Sequence, residues 1–231
     1  MIGHFDFTVW LTYISLLSSV AGIFICFHGD GHPYYGMLFL LISGLCDAFD
    51  GKVAGMKKDR TDHQKKYGIQ IDSLTDIVAF GVLPAAIGAA LYRAAGAFDD
   101  AADPCLTAMI PYWVYVAVFA AYILASLIRL AWFNVSEEDR QQTETGKRRS
   151  YTGLPVTSAA ILFPTFLLLN HFLKADITVG YYALMLAMAC AFIGKFNVRK
   201  PGLKGILIMV AIGLIEFIVI LLLNPYWSHS L

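Results

Sequence analysis

Seven apolar windows recur along this chain, at residues 8–27, 34–51, 70–97, 107–133, 153–173, 178–195 and 205–224. Each approaches or exceeds the ~20 residues that carry a helix across a hydrocarbon core. Inside a bilayer every backbone N–H and C=O must find its partner within the chain, which leaves helices or a closed barrel. Strand-like alternation is absent from the windows, so an all-α, polytopic transmembrane helical bundle is expected. Only 15% of residues are charged and mean hydropathy is +0.64, whereas soluble domains carry about 25% charge. No tandem repeat, low-complexity tract or dividing linker interrupts the pattern, so residues 1–231 read as a single membrane-embedded domain. The first window has no basic residue before it and is too long for a signal-peptide core; it reads as a retained helix.

Lysine and arginine orient the bundle, because short cytoplasmic loops collect them. Lys52, Lys57, Lys58, Arg60, Lys65 and Lys66 lie between the second and third windows. Arg129, Arg140, Lys147, Arg148 and Arg149 end the fourth window or follow it, and Lys195, Arg199, Lys200 and Lys204 lie between the last two. Only Arg93 and Lys174 fall on the opposite side. The amino terminus is therefore expected in the cytoplasm of a cell whose plasma membrane holds the chain. The formal net charge of zero hides this asymmetry.

Four aspartates sit on that cytoplasmic side, Asp47 and Asp50 at the end of the second window and Asp72 and Asp76 at the start of the third. Spacings of three and four place each pair on one helical face. Clustered carboxylates at a membrane are costly without a compensating cation. Oxygen-only ligands suit hard cations, so Asp47, Asp50, Asp72 and Asp76 read as sites for a pair of Mg²⁺ or Mn²⁺ ions completed by a diphosphate substrate. Gly51, Ala54 and Gly68 leave a bare strip beside them, against which a base or ribose could lie. The alternative for the glycines is small-residue helix packing.

The pattern Asp-x-x-Asp-Gly-x-x-Ala, then Gly-x-x-x-Asp-x-x-x-Asp, resembles the signature of the CDP-alcohol phosphotransferases; Asp47, Asp50, Gly51, Ala54, Gly68, Asp72 and Asp76 fill it in order. Two features depart from it: Gly55 stands where the family has arginine, and the spacer from there to Gly68 is longer. Lys52, Lys57, Lys58 and Arg60 are the candidates to supply the missing charge. IVAFGVLP after Asp76, RLAWFN at 129–134, YTGLPVTSAA at 151–160 and FNVRKP at 196–201 are similar to segments of the family's phosphatidylserine synthase branch.

The resemblance implies a six-helix core, here with about one further helix, working as a homodimer with two metal ions per subunit. It implies CDP-diacylglycerol and L-serine as substrates and CMP as the leaving product. Asp76 would be the base that deprotonates serine, with Asp50, Gly51, Lys52, Ala54 and Gly68 around the nucleotide. Arg129, at the cytoplasmic end of the fourth window, has two readings: a two-bond fork to the serine carboxylate, or a side chain snorkelling to the headgroups. Arg149 and Thr152 likewise either contact serine or phosphate, or belong to a basic border meeting anionic lipid.

Other readings predict different chemistry. A sibling transferase would take glycerol phosphate, inositol phosphate or choline; a transporter would place its acids in mid-helix on several discontinuous helices; an inactive scaffold would explain Gly55. Cys26, Cys46, Cys105 and Cys190 lack metal or redox spacing. His28 and His32 read as a solvated turn, Glu216 as a lone acid without evident partner, and no basic, aromatic-interleaved stripe supports nucleic-acid binding.

Overall fold

The computed structural model describes residues 3–28, 32–96, 106–143, 150–173, 177–199 and 203–227. All seven apolar windows are helical. Helices α1 (Trp10–Phe27) and α2 (Pro33–Met56) form a hairpin, followed by α3 (Asp62–Asp76), a π-helical turn (Ile77–Val82) and α4 (Leu83–Gly96). A short α5 (Leu106–Met109) precedes the long α6 (Tyr112–Thr143), and α7 (Ala159–Leu173), α8 (Ile177–Ile193) and α9 (Leu203–Trp227) complete the bundle. Among the described residues, three helical stretches, Trp10–Phe27, Asp62–Ala95 and Tyr112–Arg140, are long and apolar enough to cross a membrane; Val156–Leu169, Ile177–Ile193 and Leu207–Leu222 are shorter apolar helices.

Two strands depart from the purely helical expectation. β1 (Ser150–Thr152) pairs antiparallel with β2 (Asn197–Arg199), Thr152 standing opposite Asn197. This ribbon joins the two segments that flank α7 and α8.

Hydroxyls lace α1 to α2: Ser15 Oγ donates to the Ser43 carbonyl (3.4 Å), Ser43 Oγ to the Ser15 carbonyl (3.1 Å), and Ser18 Oγ to the Phe39 carbonyl (3.0 Å). Such bonds satisfy polar groups where lipid offers no partner.

The third window runs further than its apolar residues. Thr61 and Gln64 form a reciprocal capping box, which starts α3 within the polar stretch DHQKKYG. Most of the long spacer after Gly55 is thus helix, and the link from α2 to α3 shrinks to residues 57–61. The π turn further along follows from Pro84, which has no N–H to offer the Phe80 carbonyl. Leu83 N–H reaches back five residues to the Val78 carbonyl, and Tyr122 Oη donates to the freed Phe80 carbonyl at 2.7 Å. Tyr181 and Tyr182 add bonds to the Pro84 and Gly88 carbonyls, both 2.9 Å, so three buried tyrosines bind α4 and the π turn to α6 and α8.

The segment before α1 folds back over the start of α3. Tyr13 Oη donates to the His4 carbonyl (2.6 Å), His4 meets His63 (3.0 Å), and Lys57 forms an ion pair with Asp6 (2.8 Å). Bonds from Lys57 and then from Thr8 hold the Asp6 carboxylate at about 2, below its ordinary 3.8. With the folded value the lower one, the tie stabilises the fold above about pH 3.8 and fades as pH falls toward about 2. Asp6→Asn is therefore expected to melt about 2 °C lower than wild type at pH 7, a difference that thermal scans should see vanish on acidification.

Two expectations for single residues change. His32 is only partly exposed and stacks on Tyr34 at 5.1 Å, because the start of α2 packs against the bundle rather than ending in a solvated turn. Glu216 is 6% exposed and does have a partner: Thr165 Oγ1 donates to its Oε1 across α7 and α9. Cys26 and Cys46 are buried free thiols and Cys190 an exposed one; Cys105 lies outside the described residues.

Candidate active site

Helix α2 delivers Asp47 and Asp50, and α3 delivers Asp72 and Asp76. Close packing fixes α2 here: one turn before Asp47, a Cβ on Gly44 would lie 2.5 Å from the Ala160 Cβ, so only glycine lets α2 approach α7 this far. Opposite, Asn134 of α6 donates to Ser73 Oγ at 2.8 Å, holding α3 beside Asp72. Asp47, Asp50 and Asp72 converge so that one oxygen of each lies within 4.8 Å of the others. All three are half-buried, and none makes an ion pair among the described residues. Asp50 additionally accepts the Gly51 N–H. Three unpaired carboxylates offering only oxygen fit a hard divalent cation such as Mg²⁺ or Mn²⁺.

Asp76 is set apart from this trio. It lies one turn further along α3, is 8% exposed, and stands within electrostatic reach of Asp47, Asp72 and Asp50. The π turn begins at the next residue.

The carboxylates stand between two unlike cavities. Asp50 and Asp72 line a polar one of about 330 Å³ with Gly51, Ala54, Gly68, Arg60, Lys65, Thr8 and Thr12. Asp47 lines an apolar one of about 370 Å³ between α2, α7 and α9, walled by Leu41, Pro155, Ala160, Gly213 and Phe217 among others. The bare strip of Gly51, Ala54 and Gly68 thus faces one polar cavity. Lys52 does not: it is exposed, with Nζ over the Phe49 ring at 5.1 Å.

Arg129 departs from one of the two expectations for it. It is 5% exposed, so it does not snorkel. Its Nε donates to the Leu154 carbonyl (2.9 Å), Nη2 to the Gly153 carbonyl (3.5 Å), and the guanidinium lies 5.8 Å from the Phe133 ring centre. Arg129 therefore positions the turn after Thr152, whose Pro155 walls the apolar cavity. Thr152 itself is half-buried in β1. Arg149 lies outside the described residues, as do Lys147 and Arg148.

Gly153 adopts φ +80°, and a Cβ there would lie 3.0 Å from the Gly194 carbonyl oxygen and 3.1 Å from that of Phe192. Gly153→Ala is expected to cost about 2 kcal/mol, lowering the melting temperature by about 6 °C in a thermal-shift measurement.

Some contributors escaped the sequence. Lys65 was visible only as loop charge, and Thr8 and Thr12 looked like ordinary residues of a first helix, whereas Arg60 was already among the candidates for the charge absent at Gly55. The capping pair Thr61 and Gln64 was the signal that could have placed Lys65 on a helix facing Asp50.

The family profile for CDP-alcohol phosphatidyltransferases matches residues 7–215. The chain is 28% identical over 189 residues to a CDP-diacylglycerol–serine O-phosphatidyltransferase of Helicobacter pylori, covering 80% of this chain and 68% of that protein. It is 30% identical over 159 residues to the Saccharomyces cerevisiae protein of the same name, covering 65% of this chain and 50% of that one. Archaetidylserine synthase of Methanothermobacter thermautotrophicus is 27% identical over 193 residues, covering 84% and 65%. No solved structure matches the chain. With the profile spanning most of its length and six of the seven motif residues lining one carboxylate centre and its cavity, this chain belongs to the CDP-alcohol phosphatidyltransferase family.

Proposed function

We propose that this chain transfers the phosphatidyl group of CDP-diacylglycerol to L-serine, forming phosphatidylserine and CMP. The observation that carries the reading is the carboxylate centre between a polar and an apolar cavity. A donor with a nucleotide head and two acyl tails needs both environments on either side of its diphosphate. Serine as acceptor is supported by the names of the relatives.

Asp47, Asp50 and Asp72 would hold the divalent ions, two per subunit. A bound cation supplies Lewis-acid stabilisation of charge on the diphosphate. Asp76 takes the proton from the serine hydroxyl as its oxygen attacks the phosphatidyl phosphorus; the bond to the CMP oxygen breaks and CMP leaves with the electron pair. Gly51, Ala54 and Gly68 let the nucleotide approach the backbone, and Arg129 holds the turn at Gly153 and Leu154 that borders the apolar side. The basic residues around the α2–α3 link support a site facing the cytoplasm, with the amino terminus on the same side of the plasma membrane. Family membership supports a homodimer.

The test is CMP release by purified protein given CDP-diacylglycerol, Mg²⁺ or Mn²⁺, and a panel of serine, glycerol phosphate, inositol phosphate and choline. Release with serine alone is expected; release only with another acceptor overturns the serine assignment.

A further inference from the structure

Arg60 is the cation whose place in the fold the motif does not explain. Gly55, where the family's arginine would stand, has open space around it. Five residues later the chain turns back, and Arg60 reaches toward the same strip: Nη1 donates to the Ala54 carbonyl at 3.5 Å and Nη2 to the Gln64 carbonyl at 3.2 Å. A Cβ on Gly68 would meet Nη2 at 2.7 Å, so the guanidinium lies over the bare face of α3. Its Nε is buried and has no hydrogen-bond partner among the described residues.

Of the neighbouring cations, Lys58 is exposed and outside the cavity lining, Lys65 shares that lining, and three make contacts elsewhere. Lys57 is paired with Asp6, Lys65 bonds Asp62 at 3.1 Å, and Lys52 lies over Phe49. Arg60 lines the polar cavity with Asp50 and Asp72 yet forms no ion pair with either. A guanidinium held by two backbone carbonyls beside acids it does not neutralise keeps its charge for an anion entering the cavity. Its planar fork of donors matches phosphate oxygens, which a lysine in the same place would meet only as a point charge.

We infer that Arg60 binds the nucleotide-side phosphate of the donor, so that the charge absent at position 55 reaches the site from the α2–α3 link, across Gly68. The inference rests on the proposed use of a CDP-linked donor. It makes Arg60 a binding residue for donor and for the CMP product, with no part in holding serine.

Isothermal titration of CDP and of CMP into the purified full chain with Mg²⁺ tests it, alongside steady-state kinetics. Arg60→Ala is expected to weaken both nucleotides about tenfold and to raise KM for CDP-diacylglycerol by a similar factor, leaving KM for serine unchanged. Arg60→Lys should fall between, and Lys66→Ala, on the exposed face of α3, should match wild type. Gly68→Ala should weaken CDP in the wild-type background and weaken it less in Arg60→Ala, because its methyl acts on the guanidinium as well as on the strip the nucleotide approaches. Gly55→Arg should restore CDP affinity to Arg60→Ala. Wild-type nucleotide affinity in a folded Arg60→Ala, or an undiminished Gly68→Ala effect on top of it, overturns the inference. If Arg60→Ala does not fold, Arg60→Lys with wild-type CDP affinity overturns it equally. A wild-type chain that binds CDP but does not use serine sinks the acceptor assignment and leaves Arg60 standing; one that does not bind CDP sinks both.

Discussion

Replacing Asp76 by asparagine is expected to lower CMP release from CDP-diacylglycerol and serine by about a thousandfold while CDP affinity stays within about twofold. Asparagine preserves the shape of the side chain and its hydrogen-bonding carbonyl oxygen, but it does not accept a proton. The position suits a base better than a metal ligand. Asp76 is 8% exposed at the end of α3, whereas the carboxylate oxygens that converge within 4.8 Å belong to Asp47, Asp50 and Asp72. A carboxylate that is not itself a ligand keeps more of its proton affinity than one bound to the cation. Rate and metal affinity measured together separate the roles. An unchanged rate removes Asp76 from proton transfer, and a loss of Mg²⁺ or Mn²⁺ affinity equal to that of an Asp50 variant makes it a ligand.

Asp50→Asn is expected to move activity and stability in opposite directions. Three half-buried carboxylates without a paired cation repel one another, so neutralising one should raise the melting temperature of metal-free protein by about 3 °C. The same change removes a ligand and should weaken divalent-metal affinity by at least about a hundredfold, with turnover falling alongside. Wild-type protein should gain melting temperature as Mn²⁺ is added, and Asp50→Asn should gain far less. Equal gains in the two proteins would show that Asp50 does not bind the ion.

The helices and the aspartate trio were readable in advance because both depend on short-range patterns: apolar length for the spans, and spacings of three and four for the carboxylate faces. Features that depend on tertiary partners were not. The Phe80 carbonyl that the π turn frees is taken up by Tyr122, a residue far away in the chain. Arg129 carries the sequence marks of a snorkelling side chain, whereas the structure buries it against the carbonyls of Gly153 and Leu154. The long spacer looked like a loop because its residues are polar, although Thr61 and Gln64 contained the start of a helix. Lys52 follows Gly51 directly, yet its side chain leaves the cavity for Phe49.

The serine lacing between α1 and α2 bears on how the chain enters the membrane. Each hydroxyl of Ser15, Ser18 and Ser43 is satisfied by a carbonyl of the other helix, so these bonds need no helix downstream to form. During synthesis these first two helices can leave the insertion machinery already joined, with the lysines that follow α2 anchoring them. Asp47 and Asp50 then wait at the edge of a finished hairpin until α3 brings Asp72. The carboxylate centre is thereby assembled by the docking of later helices onto a prebuilt half, and a change at Ser15 or Ser43 should show itself first as poor insertion rather than as slow turnover.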